Sequence, residues 1–514
     1  MKKFFLKMTV AAVAMAIGSQ AYAVVEVEDA SFWLNDGKAE LTKSKQLVPN
    51  ARRAKNVILF VGDGMGISTV TGARIFEGQQ KGIDGERNLL AFEKLPYVAL
   101  SKTYSTNQQT SDSAPTMTAM VSGVKTNDGI ISLNQSVARN EPNNAVIQAN
   151  KVQTVLEQAE LKGLSTGIVS TARITHATPA ACYSHTPNRD WEANNNLSSA
   201  AVSGGVKDIA AQLIDNFGTG GIGDGLEVAL GGGRTYFLPN TVFDPEYTTT
   251  KGRRTDGRNL VTEFQTKFGG SYVYDKAGFD AINPVTTNKL LGLFEPSHMQ
   301  YEVDRAADTL GEPSLAEMTT KAIDILRKNN KGYFLMVEAG RIDHGSHAGN
   351  AYRTFSDTVA LSDAVKATME KVDMRDTLII VTADHSHTLT IAGYPKRGNP
   401  ILGKAVNPGS TTPALASDGK PYTTVGFANG VGYYQNQPGD AVYTQTPRAG
   451  RIEDMTSVDT EDPDFHQEVT VPMTSETHAG EDVAIFAGGP KSYLMHGVQE
   501  QSYIYQVMKE ALGF

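Results

Sequence analysis

Cysteine is nearly absent: among 514 residues the one thiol is Cys182. A single cysteine forms no intrachain disulfide, so a disulfide-stapled scaffold is excluded. Stability must come from the core, from bound metal or from oligomerisation. Cys182 follows Ala180 and Ala181, the setting of a small buried hydrophobe and a poor one for a catalytic thiol. Excess positive charge is also lacking. The formal net charge is −9, whereas a protein that tracks nucleic-acid phosphates needs a basic stripe. Beyond the N-terminus no apolar run reaches the roughly 20 residues that span a bilayer. Several motifs are missing as well: CxxC, HExxH, a GK[ST] after a glycine loop and, around Ser113 in DSA, the G-x-S-x-G elbow. Their absence argues against a structural zinc knuckle, a zinc protease, a P-loop and a serine-triad hydrolase. No internal repeat is found.

What is present is ordinary globular composition, with 40% hydrophobic and 20% charged residues. Glycine, at 49 residues, implies many tight loops. The first 23 residues read as a secretory signal. Lys2, Lys3 and Lys7 precede the apolar run 8–17, and Ala21-Tyr22-Ala23 is a cleavage site. Removing them takes away three lysines and no acid, which leaves a formal charge of about −12. The expectation is export to the periplasm with no membrane anchor in the mature chain, residues 24–514.

Residues 24–54 read as an arm with one short helix. NVILFV (56–61) is a continuous apolar run bounded by GDGMG, as in a buried strand of a parallel sheet. Further strands are expected at 165–170, 226–230, 333–337, 377–382 and 483–486, with helices at 151–162 and 206–217 among them. This alternation predicts an α/β fold: a doubly wound, mostly parallel central sheet with helices on both faces. Residues 391–476, rich in Gly, Pro, Tyr and Asn, read as an inserted accessory region.

In such sheets ligands gather at the carboxyl ends of strands. Asp63 follows the first strand. His176, Thr178, His185 and Arg189 follow the second expected one. Glu338, Asp343, His344 and His347 follow 333–337, and Asp384, His385 and His387 follow 377–382. His478 lies just before 483–486. Seven of the ten histidines thus sit beside carboxylates in these loops. Imidazole and carboxylate without thiolate suit catalytic Zn²⁺, and an all-oxygen set suits Mg²⁺. Asp343 and His347, four apart, can face one ion from a single helical turn.

The stretch QTSDSAPTMTAM (109–120) places Ser113 as the N-cap of a short helix. A serine hydroxyl needs a base or a metal to act as a nucleophile. Two Zn²⁺ about 4 Å apart can hold the attacking and leaving oxygens of a phosphoryl displacement. Arg189 can fork onto the remaining phosphate oxygens. His298, His466 and His496 carry no assignment, and His185 and His387 read as residues that orient a neighbour.

These motifs together resemble the alkaline phosphatase family. NVILFVGDGMG, SDSAPTMTAMVSGVKT, STARITHATPAACYSH with the following Arg189, FLMVEAGRIDHGSHAGN, VTADHSHT, ETHAGEDVAIFAGGP and HGVQEQSYI carry the resemblance, across nearly all of the mature chain. It implies a secreted bacterial phosphomonoesterase working through a phosphoserine at alkaline pH, on small-molecule phosphomonoesters. A phosphodiesterase or sulfatase on the same metal scaffold is the alternative. The resemblance makes Ser113 the nucleophile and Arg189 the phosphoryl clamp. It gives Asp343, His347 and His478 to one zinc and Asp63, Asp384, His385 and Ser113 to a second. Asp63, Thr178 and Glu338 go to a magnesium, with His176 near it. His176 and His344 match the animal branch, where the familiar bacterial pattern has Asp and Lys. An imidazole in place of that carboxylate is expected to weaken magnesium binding. Pro115 also differs from the usual small residue there. Glu246, the Phe294 carbonyl, Glu295 and Glu312 correspond to an additional calcium site of that branch; solvated loop carboxylates are the other reading. The resemblance further implies a homodimer, with 391–476 as a crown-like region.

Overall fold

In the computed structural model, which describes residues 28–432 and 454–514, NVILFVG forms strand β1 (Asn56–Gly62), buried throughout. Its side chains alternate between two cores. Val57, Leu59 and Val61 pack with Met117, Met120 and Phe334 on one face. Ile58 and Phe60 pack with Leu335, Val337 and Phe355 on the other. Burial of each large aliphatic or aromatic side chain contributes roughly 1.5–3 kcal/mol. A cut such as Leu59→Ala is expected to cost about 2–5 kcal/mol.

The further strands are β2 (Tyr97–Lys102), β3 (Ser165–Arg173), β4 (Val228–Gly232), β5 (Ser271–Val273), β6 (Leu290–Leu293), β7 (Tyr333–Ala339) and β8 (Thr377–Ala383). Then come β9 (Ser386–His387), β10 (Leu389–Ile391), β11 (Val425–Gly430), β12 (Val469–Pro472), β13 (His478–Ala479), β14 (Val483–Gly488) and β15 (Val498–Glu500). Ten of them make one sheet in the order β15-β2-β14-β8-β1-β7-β3-β4-β6-β5. β14 runs antiparallel to β2 and β8. Every other adjacent pair is parallel. The doubly wound, mostly parallel expectation is met. Helices Ser113–Ser122 and Tyr503–Leu512 cover one face. Ile67–Gln80 and Ala351–Lys371 cover the other.

The short strands β5, β6 and β15 and the half-exposed β2 did not stand out in the sequence, because three to six residues give no long apolar run. The helix expected at 151–162 starts at Val155. Thr154 caps it, accepting from the Glu157 amide while the Glu157 carboxylate takes the Thr154 amide.

The arm, residues 28–48, belongs to one compact unit, and residues 49–514 form the other. It carries the helix Ala30–Gln46, none of whose residues is buried. The signal at 1–23 lies outside the described residues. Of the region 391–476, residues 433–453 also lie outside them, and β10, β11 and β12 form a separate three-stranded sheet. Among the described residues no helix is long and apolar enough to cross a membrane.

Candidate active site

Sheet order decides what meets at the site. β8, β1, β7 and β3 are consecutive neighbours. Their registers align Gly62 with Ala339 and Ala383, and Ser170 with Glu338. The residues that follow these strand ends are therefore delivered to one place, although they lie far apart in the chain.

Asp63, Asp384 and His385 have ligand atoms within 4.8 Å of one another, all buried. His385 Nε2 lies 3.4 Å from Asp63 Oδ1 and 3.2 Å from Asp384 Oδ2. Among the described residues neither Asp63 oxygen has a hydrogen-bond partner, and Asp384 Oδ2 has none. Burial, then the charges of Asp384 and Asp343, push the Asp63 carboxyl well above its usual range. Buried carboxylates without partners are costly unless a cation neutralises them. The set therefore fits a metal, and its mixed N/O donors fit zinc.

Asp343, His347, His387 and His478 form a second set. Asp343 Oδ1 lies 3.3 Å from His347 Nε2 and 3.4 Å from His478 Nε2. His347 Nδ1 donates to the Glu476 carbonyl at 2.6 Å, and His478 Nδ1 to the Ser111 carbonyl at 2.7 Å. These bonds put the hydrogens on Nδ1 and turn both Nε2 lone pairs inward, 3.1 Å apart. Two lone pairs at that distance fit a shared cation. His387 is different. Its Nε2 donates to Asp343 Oδ1 at 2.7 Å and its Nδ1 to Glu476 Oε2 at 2.5 Å. Burial opposes its charge, yet Glu476 and Asp343 raise it to about 10. It orients Asp343 and is held by Glu476, a buried acid the sequence reading did not single out.

Asp63, His176 and Glu338 make a third set. Glu338 Oε1 and Thr178 Oγ1 have no hydrogen-bond partner. Glu338 Oε2 takes the Ser170 hydroxyl, and burial holds the carboxyl up at about 7. The oxygen-rich donors fit magnesium.

Ser113 opens the helix Ser113–Ser122, with its Oγ 3.2 Å from His385 Nε2. The expected N-cap role is corrected: the cap is Asp112, whose Oδ1 accepts from the Ala114 amide. Ser113 sits one place inside, so its hydroxyl is not used up by the backbone. Asp112 also accepts from Arg189 Nη1 at 2.9 Å and from the Gly129 amide at 2.8 Å. One carboxylate thus fixes both the nucleophile's helix and the arginine. Asp112 was missed because it reads as an ordinary residue of the DSA tripeptide. Its one signal was Asp as a helix cap next to a reactive serine.

Arg189 Nη2 lies 3.0 Å from His176 Nε2. His344 and His298 pack on His176, with ring centroids 5.7 and 5.3 Å from it. His298, read as unassigned, therefore lies beside the site. His185 lies away from it, bonded to the Ser132 carbonyl and to Glu157 at 2.8 and 2.7 Å. His466 is buried on the Ala348 carbonyl, and His496 is exposed. Cys182 is buried, and burial pushes its thiol up, which makes it inert.

A separate acidic group gathers Glu246, Glu295 and Asp308 within 4.8 Å. Asp308 was not singled out in the sequence. Glu312 lies close by, its Oε1 accepting from the Gln300 amide at 3.0 Å and its Oε2 unpartnered. The Phe294 carbonyl accepts from Arg234 Nη1 at 3.1 Å. Burial raises Glu295 to about 8 and Glu312 to about 9.

A buried serine at a helix start, an arginine and three cation-seeking donor sets at one sheet end define a metal-dependent hydrolase acting on an anionic group. Residues 54–514 match the family model described as alkaline phosphatase. The tissue-nonspecific alkaline phosphatase of Gallus gallus is 43% identical over 94% of this chain and 89% of that protein. An alkaline phosphatase of Gadus morhua is 42% identical over 93% of this chain and 96% of that one. The chain belongs to the alkaline phosphatase family. Among solved structures, that of Thermus thermophilus alkaline phosphatase shares the fold, with a TM-score of 0.63 at 23% identity over 90% of this chain and 92% of that one.

Proposed function

We propose that the chain is a metal-dependent phosphomonoesterase in which Ser113 is the nucleophile, converting phosphate monoesters to alcohol and inorganic phosphate. The observation that carries this reading is Ser113 Oγ at a helix start, 3.2 Å from His385 Nε2, beside carboxylates whose oxygens lack hydrogen-bond partners among the described residues.

Ser113 Oγ attacks phosphorus, the bond to the alcohol oxygen breaks, and that oxygen leaves with a proton as the alcohol. A water then attacks the phosphoserine, the bond to Oγ breaks, and phosphate departs. Two displacements retain configuration at phosphorus. The alkaline optimum follows from the hydroxide needed in the second step. Amides of the first turn of Ser113–Ser122 favour an anion at the site. Arg189, steadied by Asp112, offers its guanidinium to the phosphoryl oxygens.

Asp343, His347 and His478 hold one zinc, and Asp63, Asp384, His385 and Ser113 the other. Asp63, Thr178 and Glu338 hold magnesium, with His176 alongside. Glu246, Glu295, Glu312 and the Phe294 carbonyl, joined by Asp308, hold calcium. Bound zinc supplies Lewis acidity that lowers the pKa of hydroxyl and water and stabilises the leaving oxygen. Secretion through the N-terminal signal to the periplasm, and a homodimer, complete the reading. Support for the dimer is the unburied helix Ala30–Gln46, with Trp33, Leu34 and Leu41 exposed.

The test compares a chromogenic phosphomonoester with the matching diester and sulfate ester. Turnover of the monoester far above the others, lost in EDTA and in Ser113→Ala, is expected. Equal or higher diester or sulfate turnover overturns the reading. Light scattering and cell fractionation check the dimer and the compartment.

A further inference from the structure

The segment that closes the accessory region returns to the sheet end carrying more than His478. Glu476 is buried, with 1% of its surface exposed. Among the described residues its ion-pair partners are two histidines, His387 and His347, with no arginine or lysine. A buried carboxylate is costly to keep for stability alone, and a well-packed neutral residue serves a core as well or better. The bonds that Glu476 makes point to another use.

This one residue directs every side chain of the donor set Asp343, His347 and His478. Its carbonyl accepts from His347 Nδ1 at 2.6 Å, and its amide donates to the His347 carbonyl at 3.0 Å. Its Oε2 accepts from His387 Nδ1 at 2.5 Å, and His387 Nε2 donates in turn to Asp343 Oδ1 at 2.7 Å. Its Oε1 takes the Thr388 amide and hydroxyl, each at 2.7 Å, which fixes the rotation of the carboxylate. Two residues on, His478 pairs with His387 across β13 and β9. Between Glu476 and His478, Thr477 is fastened to β11 by Asn429. The Asn429 Oδ1 accepts from the Thr477 amide at 3.0 Å, and its Nδ2 donates to the Thr477 hydroxyl at 2.8 Å. His347 is thus held through the backbone of Glu476, Asp343 through its carboxylate and His387, and His478 through the chain itself.

We propose that Glu476 is a positioning residue that sets the affinity of the Asp343, His347 and His478 site for zinc, and that Asn429 ties this setting to the accessory sheet of β10, β11 and β12. The inference rests on the zinc reading of that donor set. A partner that orients a metal ligand is typically worth about 10- to 100-fold in metal affinity. Among the described residues Glu476 makes no hydrogen bond to Asp63, Asp384 or His385, so the neighbouring set is spared. Glu476→Gln keeps the size of the side chain and, through its oxygen, the Thr388 bonds. Its amide NH2 then faces the His387 Nδ1 hydrogen, a donor against a donor, and the hold on Asp343 is lost.

The experiment loads the full chain with zinc and magnesium and measures zinc affinity by competition with a chromogenic chelator. Uptake of two tightly held zinc ions by the unaltered chain tests the underlying reading alone; fewer than two defeats that reading and the proposal with it. In Glu476→Gln one of the two ions is expected to bind about tenfold or more weakly while the other is held as before. Asn429→Ala is expected to weaken the same ion by a smaller factor, and it decides the matter where Glu476→Gln does not fold. Turnover of a chromogenic phosphomonoester by Glu476→Gln should be low at limiting zinc and recover in excess zinc, which a damaged fold would not do. The gap in melting temperature between the loaded and the metal-free protein should narrow, whereas a merely structural role would lower both temperatures together. Unchanged zinc affinity in both variants, or equal weakening of both ions, overturns the proposal.

Discussion

The carboxylates of Asp63, Asp384 and Glu338 stand at the sheet end with no arginine or lysine in ion-pair distance among the described residues, and several of their oxygens have no hydrogen-bond partner there. Asp244 and Glu246 are equally hidden but close on Arg234, which is itself fully buried and bonds Asp244 at 2.7 and 2.8 Å and Glu246 at 3.2 Å. One region leaves its negative charge open to an external cation. The other carries a cation of its own and leaves only Glu295, Asp308 and Glu312 uncompensated. Buried charge without a partner is destabilising in the bare protein. An open acidic centre therefore identifies where binding energy from an ion is used, and an internally paired one identifies where folding alone suffices.

Removing Arg234 is the sharpest way to turn the second region into the first. Arg234→Met leaves Asp244 and Glu246 unpaired in the interior and should lower stability by about 3–5 kcal/mol in chelator-treated protein. Urea denaturation reads this, and calcium should restore part of the loss. No loss would show that the pair breaks even against a hydrophobic replacement.

The mirror change is Asp63→Asn. Activity should fall more than about 100-fold, the upper end of what even an outer-shell partner of a metal ligand is worth. The metal-free variant should nonetheless melt higher than the metal-free parent, because one of three clustered carboxylates is gone. A lower melting temperature would sink the idea that these charges strain the bare fold.

Acidity offers a third handle. Glu295 and Glu312 have folded-state pKa values of about 8 and about 9, raised above the ordinary carboxyl value. A raised pKa means the folded chain holds its proton more tightly than the unfolded one. Its stabilising contribution is complete below the ordinary carboxyl pKa and disappears as pH climbs through 8 to 9. In chelator the melting temperature should thus decline between pH 5 and 9, and millimolar calcium should flatten the decline. A flat profile in chelator would show that these carboxyls titrate normally.

The smallest effect concerns Asp112, which links the helix of Ser113 to Arg189. Asp112→Ala should cost about 1 kcal/mol as a lost helix cap. It should also weaken inhibition by inorganic phosphate, since Arg189 loses its anchor. Calorimetry and phosphate inhibition constants separate the two consequences.

Much of the centre was legible in the chain because parallel sheets obey a simple rule. A residue placed just after a buried apolar run arrives at the carboxyl edge, where loops converge. Asp63, Asp384 and the 338–347 segment could be singled out on that ground, and they do meet. Asp112, Glu476, Asp308 and His298 could not. Each is a polar residue given no role on its own, whose importance lies in a partner far away in sequence: Arg189 for Asp112, His387 for Glu476, Glu246 for Asp308 and His344 for His298. The N-cap assignment slipped by one residue because Asp and Ser both make good caps, and only backbone geometry chose Asp112.

Sequence alone determined the alternation of apolar runs and helices, hence the doubly wound sheet, since hydrophobic periodicity is a local property. It also determined which nucleophile and donor types were available, because side-chain chemistry is local as well. The tertiary structure decided the strand order β8-β1-β7-β3, the inward turn of His347 and His478 through backbone carbonyls, and the difference between acids left bare and acids closed by Arg234. Those depend on register, burial and long-range pairing, which no single stretch of the chain encodes.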